Sequence, residues 1–137
     1  MKVKDHDYAV VVEHEVEDTV TIKIVKYEDS LEEMHRLTHS EIVEHIDPCL
    51  YFPTFPYLRH VDCFVDEEGK LNGKYPTIPV YEEHGILVDC LCGSILFIEG
   101  NDETGENYGL TLEDAKKVGY GVTWYMKEHP RFDIRNC

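Results

Sequence analysis

The chain of 137 residues reads as one α+β domain. Three observations predict this. An alternating, β-branched run opens the sequence. Two apolar stretches at helical spacing each follow a capping residue. Between them lie strand-like segments cut by glycine- and proline-rich turns. The expected order is ββαβββα, a mixed or antiparallel sheet with two helices on one face.

The elements follow in order. Residues 8–27, "YAVVVEHEVEDTVTIKIVKY", hold two β-rich runs around Glu17-Asp18. In the second, Val20, Ile22 and Ile24 alternate with Thr21 and Lys23, as a half-buried hairpin strand requires. Ser30 and Glu33 form a capping-box pattern. Leu31, Met34, Thr38, Ile42 and Ile46 then predict a helix over about 31–45, stopped by Asp47-Pro48. "VDCFV" at 61–65 is a short strand and "DEEGKLNGK" a turn. "GILVDCLCGSILFIEG" (85–100) is the longest apolar run and predicts central strand, bent at Gly93. Thr111 and Asp114 cap a second helix, in which Leu112, Ala115, Val118, Val122 and Met126 share a face. Gly119 and Gly121 weaken its far end, by about 1 kcal/mol each relative to alanine.

Composition excludes several functions. No run of 18 apolar residues exists, so no transmembrane helix is expected, and the charged N-terminus is unlike a signal peptide. Five cysteines at irregular spacing do not make a disulfide framework; a reducing cytoplasm and free thiols at Cys49, Cys63, Cys90 and Cys92 are expected. The net charge is −15, and no basic residue lies between Lys74 and Lys116. Direct nucleic-acid binding is therefore not expected. The acidity serves solubility, or it mimics nucleic acid on a basic partner.

No motif supports catalysis. Ser94 in "CGSIL" is not a nucleophile elbow, and "GKLNG" is not a phosphate-binding loop. Cys90 and Cys92 lie on one face of a strand, as two small core residues would, and "HRLTH" lacks a metalloprotease glutamate. No metal and no cofactor are expected.

What remains is an aromatic cluster. Tyr51, Phe55 and Tyr57, with Tyr75 and Tyr81, lie near Arg59, Lys70, Asn72 and Lys74. Flat rings beside cations suit a planar anionic ligand; the same rings could simply cover the sheet.

Taken in order, "DEEGKLNG" (66–73), "GSILFI" (93–98) and "GENY" with "LT" (105–111) resemble the phage and mobile-element family catalogued as domain of unknown function 3846. The resemblance spans about 29–118. It leaves 1–28 as an N-terminal hairpin and 119–137 as a C-terminal extension of the single domain 1–137. Thr77-Ile78 stand where the family has Asn-Arg, and "YFPTFPY" has no counterpart. The resemblance implies a phage setting, a host-cytoplasm location and a non-enzymatic role against host defence. The leading expectation is a homo-oligomeric protein that sequesters a nucleotide-like signal. The alternative is an acidic inhibitor of a host defence protein.

Overall fold

The computed structural model describes residues 6–16, 19–48, 60–69, 71, 73, 74, 76–81, 84, 86–100 and 106–128. Its elements are β1 (Tyr8–Val16), β2 (Thr19–Lys26), α1 (Leu31–Thr38), β3 (Val43–Ile46), β4 (Val61–Asp66), β5 (Pro76–Tyr81), β6 (Leu87–Cys92), β7 (Ile95–Gly100), β8 (Asn107–Tyr108) and α2 (Leu112–Glu128). The class is α+β, and every strand pair is antiparallel. The main sheet has the order β2-β1-β7-β4-β3, with β8 paired to β7; β5 and β6 form a separate two-stranded sheet.

The predicted helices are not on one face of the sheet. Val10, Val12, Cys63, Val65, Ile95 and Phe97 point to one side, where they meet α2 and the β5-β6 hairpin. Their neighbours Ala9, Val11, Phe64, Leu96 and Ile98 point to the other, where they meet Met34 and Leu37 of α1. Side chains alternate along a strand, so strands that are apolar at every position demand a cover on each side. "AVVV" and "ILFI" are such strands. Phe97, fully buried, is the largest side chain in the centre.

Other boundaries moved for local reasons. α1 ends at Thr38, where His39 takes a left-handed conformation (φ 52°), so the helix stops well short of 45. Val43–Ile46 instead pair with β4, and Ile46 is buried there. The run 85–100 is two strands, not one. Gly93 (φ 86°) turns the chain from the small sheet into the main one. β5 was not foreseen because Pro76 and Pro79 sit in it; both are tolerated in a two-stranded sheet, where every strand is an edge. The N-terminal hairpin is no appendage, since β1 lies beside the central β7. α2 runs through Gly119 and Gly121 to Glu128, across the boundary expected at 118. Both predicted caps form on the hydroxyl side, while the Glu33 carboxylate pairs with Arg36. Ser30 Oγ accepts from the Glu33 N–H at 3.1 Å, and Thr111 Oγ1 from the Asp114 N–H at 3.1 Å.

Candidate functional site

The turn after β4 is built around Asp66. Its Oδ1 accepts the Glu68 N–H at 2.9 Å, and the Gly69 N–H bonds to its backbone carbonyl at 3.1 Å. Gly69 lies against the end of β6, where a Cβ would stand 2.6 Å from the Cys92 carbonyl oxygen. The Lys74 N–H closes the turn on the Gly69 carbonyl at 3.0 Å.

Lys74 then reaches back into the molecule. Its Nζ is 2.5 Å from Asp66 Oδ2, whose side chain is 2% exposed. The same Nζ donates to the His39 carbonyl at 2.6 Å and to the Thr38 carbonyl at 3.4 Å, both at the C-terminal end of α1. A cation there meets the negative end of the helix dipole. The Lys74 stem crosses Gly93, where a Cβ would lie 2.7 Å from its Cδ. Asp66, Gly69 and Lys74 of the first motif and Gly93 of the second are therefore parts of one packed joint.

A second polar group adjoins the joint. His39 Nε2 is 3.6 Å from Glu13 Oε1, and Lys23 Nζ donates to Glu13 Oε2 at 2.9 Å. His14 Nδ1–H donates to the Pro76 carbonyl at 2.8 Å. Glu13 and His14 are buried. Sequence reasoning missed them, although the break in alternation at "VVVEHEV" was a usable signal.

Two hollows flank β3 beside this joint. One, of about 500 Å³, is lined by Glu41, Asp66 and Glu68 together with His39, Ser40 and Ile42. The other, of about 200 Å³, has Glu44, Asp66, Glu67 and Asp89 among its lining residues. Exposed apolar side chains line both hollows, Ile42 at 45% exposure in the first and Leu71 at 86% in the second.

Of the residues expected to bind a ligand, Tyr51, Phe55, Tyr57, Arg59, Lys70, Asn72 and Tyr75 lie outside the described residues. Lys74 is not available in the way expected, because its ammonium is held by Asp66 and α1. Tyr81 ends β5, opposite Leu87, and lies near Tyr125. At about 3.3 Å per residue, β5 sets it roughly 17 Å from the Pro76 end, away from Lys74.

The cysteine expectation needs one correction. Cys63 and Cys92 are thiols, but Cys90 is in a disulfide whose partner lies outside the described residues. Spacing in a sequence cannot reveal such a pairing, which the fold creates by bringing distant segments together. Burial, with Asp62 adding to it, pushes the Cys63 thiol well above its ordinary range. Among the described residues, no group of three or more His, Cys, Asp or Glu side chains could hold a metal. No described helix is long and apolar enough to cross a membrane.

No curated protein and no solved structure matches the chain. A family model does match, over residues 8–122, and so takes in the N-terminal hairpin that the motifs alone left out. The chain belongs to the family described as Domain of unknown function (DUF3846).

Proposed function

We propose that this is a non-enzymatic binding protein that docks a basic protein surface on the acidic face around β3. The observation that supports the reading is a pair of hollows beside β3, one where Glu41 and Glu68 lie with the exposed Ile42 and one where Glu44 and Glu67 lie with the exposed Leu71. Apolar anchors beside charges of one sign suit a partner of opposite sign. The charges steer the encounter and the anchors supply the desolvated contact. An anionic ligand would meet repulsion there. In keeping with the phage setting that the motifs imply, the partner would be a host defence protein, and docking would block it.

The test is affinity capture from the producing host with wild type and a Glu41→Lys/Glu44→Lys/Glu67→Lys variant, alongside native mass spectrometry of the wild type. One basic protein held by wild type and lost by the variant supports the reading. Retention of a nucleotide, with no protein dependent on the acidic face, overturns it and favours the ligand-sequestering alternative. Duplex DNA serves as a further arm: a salt-sensitive gel shift at micromolar protein would contradict an acidic docking face.

A further inference from the structure

The outer face of α2 has a pattern that neither the fold nor the acidic face uses. Ala115, Val118, Val122 and Tyr125 turn inward. Outward stand Glu113, Lys116, Tyr120, Trp124 and Lys127, all exposed; Tyr120 is 74% and Trp124 42% exposed. At about 100° per residue these five fall within an arc of roughly 80°, a single stripe. The stripe is palindromic in its chemistry about Tyr120. Glu113 and Lys127 are each seven residues from it, and Lys116 and Trp124 are each four. In a chain of net charge −15, this helix carries three of the thirteen basic residues, Lys116, Lys117 and Lys127.

We infer that α2 pairs antiparallel with α2 of a second copy of the chain, across a two-fold axis at Tyr120. In that register Glu113 faces the partner's Lys127 and Lys116 faces the partner's Trp124. Tyr120 faces the partner's Tyr120. A two-fold interface must be self-complementary, and an acid and a base at equal distances from the axis satisfy this twice. A cation over an indole and two stacked phenol rings add contacts that both copies make equally. A parallel pairing would set Glu113 on Glu113 and Lys127 on Lys127, and is excluded by like charge. Lys117 Nζ is 3.5 Å from Glu113 Oε1 within the helix, an exposed pair that leaves Glu113 open to a second partner. A helix of 17 residues is about 25 Å long, so a helix pair alone falls in the small-interface class. The dimer is therefore expected to dissociate in the micromolar range. This interface is separate from the acidic face and does not depend on it.

The test uses the whole chain at about 0.15 M salt, where long-range repulsion between copies is screened. Trp124 is the only tryptophan, so its emission reports burial of the stripe directly. Sedimentation velocity and tryptophan emission are followed together from about 1 to about 200 µM, bracketing the weak-dimer range. Wild type should pass from monomer to dimer, with a blue shift on the same midpoint. Lys127→Glu and Glu113→Lys should each weaken the dimer by about tenfold or more, and the double exchange Glu113→Lys/Lys127→Glu should restore it. Far-UV circular dichroism checks that each variant is folded. A wild type that stays monomeric throughout overturns the inference. So does a dimer whose formation leaves Trp124 emission unchanged, or one that the double exchange fails to restore.

Discussion

Replacing Lys74 tests whether the turn is a joint or a ligand loop. Lys74→Met keeps the alkyl stem over Gly93 but removes the ammonium. Asp66, 2% exposed, then keeps the Glu68 N–H on Oδ1 and loses its counter-ion. Breaking a fully buried pair costs about 3–5 kcal/mol, whereas an exposed pair contributes about 0–1. The Lys74 side chain is 23% exposed, which places this pair between the limits and nearer the buried one. Loss of the contact with the α1 carbonyls adds to the cost, at the scale of about 0.3–1 kcal/mol for a charge at a helix end. The expected destabilisation is about 3 kcal/mol, or roughly 10 °C in melting temperature for a chain of this length. Urea unfolding measures it, with an unchanged m-value confirming that the unfolding transition is the same. The double variant Lys74→Met/Asp66→Asn should recover part of the loss, because no uncompensated charge stays buried. A cost of Lys74→Met below about 0.5 kcal/mol would refute the joint, since that is the range of ordinary surface substitutions. Lys74 would then return to the pool of ligand-facing cations.

Two further outcomes are expected. Gly93→Ala should lose at least about 1–2 kcal/mol, from its φ of 86° and the 2.7 Å approach of Lys74 Cδ, while Gly119→Ala, with open space at its Cβ, should gain up to about 1 kcal/mol; urea melts of both measure the contrast. Stability should also fall in alkali. Burial raises the Cys63 thiol and the Tyr27 and Tyr125 phenols above their ordinary 9.0 and 10.0, so the unfolded chain releases these protons first. Stability is then full below about pH 9 and declines as pH climbs towards the raised folded values. Urea midpoints at pH 7.5 and 10.5 check this, and an unchanged midpoint would contradict it.

Local signals were legible where the local structure decides the outcome. Ser30 and Thr111 are caps because a free helix N–H needs an acceptor nearby in sequence, whatever the tertiary fold. Alternation survives at Val20 and Ile22, which pack against the core while Thr21 and Lys23 are exposed; it fails at Ile24, which is 39% exposed while Val25 packs on the α1 side. Where two structures compete, sequence spacing misled. Ile42 and Ile46 continue the helical period of α1, yet they are β-branched, and β4 offers an open edge. That tertiary pairing outweighs the weak helix propensity of the segment. The placement of α1 and α2 on opposite faces was also readable in principle. "AVVV" and "ILFI" are apolar at odd and even positions alike, and such strands cannot face water on either side.

The site was harder to read, for a reason that Lys74 makes plain. In the sequence it is a rare cation next to aromatic residues, which is the pattern of an anion site. In the fold it answers a need created by Asp66, whose carboxylate is buried where β4 turns out of the sheet. Asp66 in turn organises the tight turn through the Glu68 N–H, and the turn closes only because Gly69 and Gly93 leave room for the Cys92 carbonyl and the Lys74 stem. Each of these residues is explained by another one of the set, with no ligand required. The exposed acids do not have this property. Glu41, Glu44 and Glu67 are exposed carboxylates that share the two hollows with Ile42 and Leu71, and neither the joint nor the core calls for them there. Chemistry left over once the fold has been accounted for is where a function should be sought. On the proposed reading, the partner surface is therefore at β3, beside the motif turn and not within it.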